Sequence, residues 1–160
     1  MKELYRQHIN LPKEYIGNQL QLFLKEDKAT KDLTTKYSLL GASKNVKANI
    51  VCEEKIIFAG TPIIDYLFEN TKIEQIKSEG AVCNSGDILT TIKTSAKKLL
   101  TTERVLLNLL QRLSGIATLT NQYVKKLNNE SIKILDTRKT TPGIRLFEKY
   151  AVNIGGGHNH

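Results

Sequence analysis

Ile132-Lys133-Ile134-Leu135-Asp136-Thr137-Arg138-Lys139-Thr140-Thr141-Pro142-Gly143 is the stretch on which the reading of this chain turns. Its first four residues are short, β-branched and mostly apolar, which suits a strand buried in a parallel sheet. The polar run that follows then sits at the C-terminal mouth of that strand, where α/β barrels gather their catalytic groups. Arg138 and Lys139 with the hydroxyls of Thr137, Thr140 and Thr141, on a turn fixed by Pro142 and Gly143, would bind a multiply charged anion. The same residues also read as a solvated polar loop, and the stretch alone does not choose.

On the N-terminal side, from Thr101, Leu106, Leu109, Leu110, Leu113 and Ala117 share one helical face while Asn108, Arg112 and Gln122 lie off it. Gly115 weakens the middle of this helix and marks a bend or a close approach. Asn128-Asn129 ends it. On the C-terminal side, Arg145 to Val152 forms another helix before Gly155-Gly156-Gly157-His158-Asn159-His160. Three glycines permit close backbone approach, and histidines titrate near neutrality. A tag remnant or a weak metal tract has the same look, and the glycine spacing is not that of a nucleotide fingerprint. Helix, strand, loop and helix in this order open an α/β barrel or a doubly wound sheet.

The first hundred residues follow a different pattern. Ile16, Leu20, Phe23 and Leu24 give an amphipathic helix over Glu14 to Lys28, followed by Asp32-Leu33-Thr34-Thr35 as a loop. Val46, Ala48, Ile50 and Cys52 alternate as a strand, and Ile56-Ile57-Phe58-Ala59 gives another. Thr61-Pro62 starts a helix that buries Ile63, Ile64, Leu67 and Phe68. Ile73 to Lys77 and Ile88 to Lys93 are short strands separated by a turn-rich segment. These elements predict an α+β sandwich domain.

A chain of 160 residues with 40% hydrophobic and 25% charged content is an ordinary globular chain able to bury a core. No run approaches the ~20 apolar residues of a membrane span, and the opening Met1-Lys2-Glu3-Leu4-Tyr5-Arg6 does not read as a signal peptide, so a cytoplasmic location is expected. Cys52 and Cys83 lack metal-ligand spacing and read as small buried hydrophobes. The net charge of +8 suits nucleic acid, a membrane surface or an anionic small substrate alike. Lysines such as Lys25, Lys28, Lys31, Lys97 and Lys98 read as solvated positions, whereas arginine is scarce and late: only Arg6 precedes Arg104, followed by Arg112, Arg138 and Arg145. Arginine is the residue suited to bidentate grip of carboxylate and phosphate, so the chemistry is expected late in the chain. Glu103-Arg104, by itself, reads as an exposed pair in a first helical turn.

Taken in order, Glu103-Arg104-Val105-Leu106-Leu107-Asn108, Gln111 to Thr118, Asp136 to Gly143, Glu148-Lys149-Tyr150-Ala151-Val152 and Gly155 to His160 resemble the quinolinate phosphoribosyltransferases. The resemblance covers nearly the whole length, and Glu26-Asp27, Asp32 to Thr35 and Ser85-Gly86-Asp87 also fit it. Lys31 stands where that family usually has glycine, so the conformation of that loop is set apart. A related class associated with molybdenum transport shares the Arg-Lys-Thr loop and the triple glycine but usually carries another pair before the closing histidine; His158-Asn159 favours the quinolinate enzymes.

The resemblance implies type II phosphoribosyltransferase architecture, truncated: an α+β N-terminal sandwich domain over residues 1–105 and the start of an α/β barrel over residues 106–160. It implies phosphoribosyl transfer from phosphoribosyl pyrophosphate to quinolinate with decarboxylation, a step in NAD synthesis, with Mg²⁺ on the leaving pyrophosphate. Arg138 and His160 would hold quinolinate carboxylates, Lys139 would be the catalytic lysine facing the substrate anions, and Thr137 would line the same loop. Arg104 would enter a neighbouring subunit's site, making a homodimer, or a higher assembly of dimers, the working unit. The metal-binding acids are expected beyond His160, so this chain alone is expected to be silent and its lone barrel strand unable to bury both faces. Neither a membrane nor nucleic acid is an expected partner, since zinc-finger spacing and arginine-rich arms are missing. A non-catalytic basic binding fragment is the competing reading from another class.

Overall fold

The structure, a computed structural model, describes residues 5–29 and 44–160. Lys31 and the Asp32 to Thr35 segment lie outside the described residues. Helix α1 spans Lys13–Glu26 and turns Ile16 and Leu20 into the core, as the apolar spacing predicts. Gly17 lies beneath the Tyr66 ring, in space that a Cβ would take. Tyr66 belongs to α2, Thr61–Leu67, so the missing side chain is what lets the two helices touch.

Strands β1 (Asn45–Val51), β3 (Lys72–Ile76) and β5 (Ile88–Ser95) form an antiparallel sheet in the order β1-β5-β3. The central strand carries Leu89, Thr90, Thr91, Ile92 and Thr94 as buried residues. Its threonines are β-branched but polar, and Thr91 meets its hydrogen-bond need by donating to Asn49 Oδ1 at 2.9 Å. Lys47 and Lys93 face each other across β1 and β5, a like-charge pair that is unfavourable by itself. Glu74 of β3 pairs with both, at 2.8 and 2.6 Å, and these two lysines hold its carboxyl down at about 2.

A second antiparallel pair joins β2 (Ile56–Ile57) to β4 (Val82–Cys83). The expected strand over Ile56 to Ala59 is only two residues long, although Phe58 and Ala59 are fully buried, and β4 is hidden in the sequence by surrounding turn residues. Both cysteines are buried and free.

Helix α3, Ala96–Leu127, is the spine of the molecule. At 32 residues it extends about 48 Å. It starts earlier than its apolar periodicity suggests, because the Ser95 hydroxyl caps it by accepting from Lys98 N at 3.2 Å. Glu103 and Arg104 are therefore not in its first turn, and Lys98, read as solvated, lies 5.4 Å from the Phe68 ring centroid. The helix is continuous through Gly115, and a Cβ there would meet nothing within 4 Å, so close approach does not explain that glycine. Ser114 and Thr118 dock the helix on the short pair: Ala59 N donates to Ser114 Oγ at 3.1 Å and Ile57 N to Thr118 Oγ1 at 2.8 Å. Asn128, in the left-handed region at φ 45°, ends it.

Beyond α3 the expected buried strand departs from expectation. Leu135 makes one parallel bridge, to His158, and both Ile132 and Leu135 are about half exposed, at 53% and 50%. One neighbouring backbone cannot cover two faces of a strand. Helix α4, Arg145–Ile154, lies between the bridged residues in sequence, so the chain leaves Leu135, passes through the helix and returns parallel at His158. Among the described residues no helix is long and apolar enough to cross a membrane.

Candidate active site

The two late motifs meet at one carboxylate. Asp136 directly follows the bridged Leu135, and its Oδ1 accepts from Lys149 Nζ at 2.6 Å and from the backbone N–H of His160 at 2.8 Å. Its Oδ2 accepts from Asn159 Nδ2 at 2.8 Å. Both side chains of the pair are nearly sealed from solvent, with Asp136 5% and Lys149 9% exposed. Removing either partner would leave a buried charge uncompensated, so the pair fixes one arrangement even if its net stabilisation is small.

The loop after Asp136 has a second tether. Glu148 of α4 is buried, and its Oε1 accepts from Arg112 Nη2 at 2.6 Å and Nε at 3.0 Å, while its Oε2 accepts from Thr141 N at 3.1 Å. Burial pushes the Glu148 carboxyl up, but the bonds from Arg112 and Thr141 outweigh it and leave it below its ordinary value. Arg112 also donates to Thr141 Oγ1 at 2.9 Å, and Arg145 to Thr140 Oγ1 at 3.0 Å. Thr140 and Thr141 are thus loop anchors. Thr137, Arg138 and Lys139 lie between the anchors and are exposed, with Thr137 Oγ1 accepting from Lys139 N at 3.1 Å.

The triple glycine is explained by packing against α3. A Cβ on Gly155 would overlap Ala117 O and lie 2.7 Å from Thr120 Cβ, and one on Gly157 would lie 2.7 Å from a Val152 methyl. Gly156 has φ +90°, which a side chain disfavours. This tight turn delivers His158 to the parallel bridge, where its N–H donates to Ile134 O at 2.8 Å, and sets Asn159 and His160 beside Asp136. Asn159 is almost fully buried, and His160 is exposed with its ring stacked on Tyr5 at 5.2 Å between centroids.

Of the expected site residues, Thr137, Arg138 and Lys139 share one loop, and His160 is tied to the base of that loop through Asp136. Arg104 is elsewhere on α3, pairing with Asp27 at 2.8 Å while its side chain stays 66% exposed. It precedes Arg112, the residue of α3 that reaches the loop, by about 12 Å along the axis. Two surface grooves, of about 290 and 660 Å³, are lined by residues other than these. Among the described residues no group of three or more His, Cys, Asp or Glu gathers to hold a metal ion. Asp136 is the one acid at the base of this loop and both its oxygens already accept from Lys149, Asn159 or His160, with the Lys149 cation against it, so these residues do not fit Mg²⁺ as direct ligands.

Lys149, Asn159, Glu148 and Arg112 have structural roles here that pattern reading did not assign. A signal existed for two of them: Phe147 to Ala151 are buried as a continuous run, and Glu148-Lys149 puts opposite charges inside it. Gln7, which also reaches Asn159, carries no signal in the sequence.

Comparison with known proteins gives the same picture. Residues 32–114 match the family description "Quinolinate phosphoribosyl transferase, N-terminal domain", and residues 116–160 match its C-terminal domain. The junction falls inside α3, which serves both parts. The chain is 46% identical over 153 residues to the probable nicotinate-nucleotide pyrophosphorylase [carboxylating] of Bacillus subtilis (strain 168), covering 89% of this chain and 52% of the relative. It is 38% identical to the protein of the same description from Synechocystis, covering 88% and 48%. Among solved structures, the nicotinate-nucleotide pyrophosphorylase of Francisella tularensis superposes with a TM-score of 0.88 at 33% identity, over 98% of this chain and 56% of that one. NadC from Streptococcus pyogenes gives a TM-score of 0.85 at 38% identity, over 94% and 55%. The chain spans about half the length of the relatives it matches. An antiparallel sheet domain and a helix-rich part with the Arg138 loop and triple-glycine turn, matched in sequence and in fold, make this chain a member of the quinolinate phosphoribosyltransferase family.

Proposed function

We propose that this chain supplies the quinolinate grip of a phosphoribosyltransferase acting in NAD synthesis. The observation that carries the reading is the Asp136 carboxylate, which ties the base of the Arg138-Lys139 loop to the backbone of His160. A planar dicarboxylate needs two or more cationic or donor groups held at fixed separation, and a shared buried anchor sets that separation. In this reading Arg138 and His160 take the carboxylates, Thr137 lines the loop, and Lys139 stabilises the anionic substrates near the reacting centre.

The ring nitrogen attacks C1 of the phosphoribosyl group as pyrophosphate leaves with the bonding electrons of the broken C–O bond. The product nitrogen is cationic, so it can hold the electron pair left when the adjacent carboxylate departs as CO2; protonation of that carbon gives nicotinate mononucleotide. Mg²⁺ belongs to this proposal as the companion of the pyrophosphate-bearing substrate, and no residue described here is assigned to it. Arg104 is read as entering the site of the second subunit of a cytoplasmic homodimer, a role that suits its exposed side chain.

The test is Arg138→Lys in the protein at its natural length. A lysine keeps the charge but not the two-pronged donor, so the quinolinate KM should rise about 10- to 100-fold, corresponding to roughly 1.5–3 kcal/mol for a charged hydrogen-bonded contact. An unchanged KM would remove Arg138 from the grip. Failure of the unsubstituted protein to form nicotinate mononucleotide would remove the activity itself.

A further inference from the structure

Asn159 is 1% exposed, and each of its polar groups is engaged. Its Nδ2 donates to Asp136 Oδ2 and to Lys149 O, both at 2.8 Å, and its Oδ1 accepts from Asn153 Nδ2 at 2.8 Å and from His8 N at 2.6 Å. A side-chain amide has two donor hydrogens and two acceptor lone pairs, so this one is saturated. Its main chain is read by one residue from the other end of the chain: Gln7 Oε1 accepts from Asn159 N at 2.8 Å, and Gln7 Nε2 donates to Asn159 O at 3.2 Å. Gln7 Oε1 also accepts from Asn153 Nδ2 at 3.1 Å. Two residues earlier, Tyr5 lays its ring along that of His160, with the planes 29° apart.

Residues 5–8 precede the first helix and contribute nothing to either sheet, yet they span 151 and 152 positions in sequence to hold Asn159. A purely packing role would call for apolar burial, and this segment offers the opposite: Tyr5 is 48% exposed and its neighbours make directed polar contacts. With the His160 amide fixed by Asp136, the freedom left to His160 is rotation of its imidazole, which the Tyr5 ring restricts on one face.

We propose that the segment Tyr5 to His8 is a positioning element for His160, with Gln7 fixing its backbone through Asn159 and Tyr5 fixing its imidazole plane before substrate arrives. The proposal rests on the reading of His160 as a quinolinate contact. Tyr5 and Gln7 are positioning residues that touch no substrate themselves, and their effect is to place the imidazole in its binding pose at no ordering cost on binding.

The experiment compares Tyr5→Ala, Tyr5→Phe and Gln7→Leu in the protein at its natural length. Tyr5→Ala should raise the quinolinate KM about two- to tenfold, the range set by one aromatic contact, with the KM for phosphoribosyl pyrophosphate unchanged. Tyr5→Phe keeps the ring and should restore the wild-type value, and Gln7→Leu should raise the same KM. In a His160→Ala background, Tyr5→Ala should have no further effect, because the group it positions is gone. The His160 ring protons, observed without ligand, should lose their ring-current shift in Tyr5→Ala and keep it in Tyr5→Phe. Unchanged quinolinate KM in both Tyr5→Ala and Gln7→Leu, or an equal rise for both substrates, overturns the proposal. If the unsubstituted protein shows no turnover, the functional reading falls; the ring-proton signals then decide whether Tyr5 orders His160, and unchanged signals in Tyr5→Ala overturn that as well.

Discussion

The sheet domain and the C-terminal shelf share one apolar core but differ in how much buried polar structure they add to it. In the first, Phe58, Ile63, Ile64, Phe68, Cys83 and Ile92 are essentially sealed from solvent around the strands and α2. In the second, Phe147, Tyr150 and Ala151 join the same core, but Ile132 and Leu135 stand half exposed, and Asp136, Glu148, Lys149 and Asn159 take buried places beside the apolar residues. Burial of apolar surface is non-directional and forgives small changes of shape, whereas a buried polar network has one satisfied arrangement and fails when a member is lost. The difference teaches where precision resides in this chain: the apolar core provides the platform, and the polar network fixes the positions of the Arg138 loop and of His160.

This contrast can be broken most forcefully at its hub. Asp136→Ala leaves Lys149 buried without a counter-charge and two donors unmet, and should destabilise the protein by about 3–5 kcal/mol in urea unfolding. A loss below about 1 kcal/mol would mean that the pair is solvated and the contrast is false. Glu148→Gln is the next step: it should cost about 1.5–3 kcal/mol by weakening the bonds to Arg112 and Thr141.

Glu148 also predicts an acid response. Its folded carboxyl lies below the ordinary 4.5, so its contribution is fully present above that value and is lost as the pH falls through the folded value. Stability measured from pH 6 downward should therefore fall less steeply in Glu148→Gln than in the parent protein, and identical slopes would exclude the carboxylate as a source. At the small end, Ile64→Val removes one methyl from the apolar core and should cost about 0.5–1.5 kcal/mol, with quinolinate binding unchanged. Altered binding in that variant would show that the platform is not independent of the shelf.

Much of the platform was legible from periodicity. Ile16 and Leu20, the alternating Val46 to Ile50, and Leu106 to Ala117 lie on the faces that their spacing predicts, because apolar burial imposes a period on sequence. The two-residue β4 was not, since a strand so short has no period, and the start of α3 was hidden because its cap is a single hydroxyl at Ser95. At the shelf, the Arg138 loop and the glycine turn stood out by composition, and the resemblance ordered them. Lys149 and Asn159 stood within those motifs, but their roles, like that of Gln7, were not legible, because they lie in partners up to 152 positions away, a relation that no local pattern records. Ile132 and Leu135 look like buried-strand residues by composition, yet they stand half exposed, as expected of a strand with a single neighbour: composition states what a strand can bury, and only its neighbours decide what it does bury.

The most direct test of the central claim is a calorimetric titration of quinolinate into the parent protein and into Asp136→Leu/Lys149→Met, a double change that removes both buried charges while keeping apolar bulk. The parent should bind, and the double variant, still folded by its near-ultraviolet circular dichroism, should have lost most of that affinity because His160 and the Arg138 loop no longer share an anchor. Equal affinity in the folded variant would contradict the account.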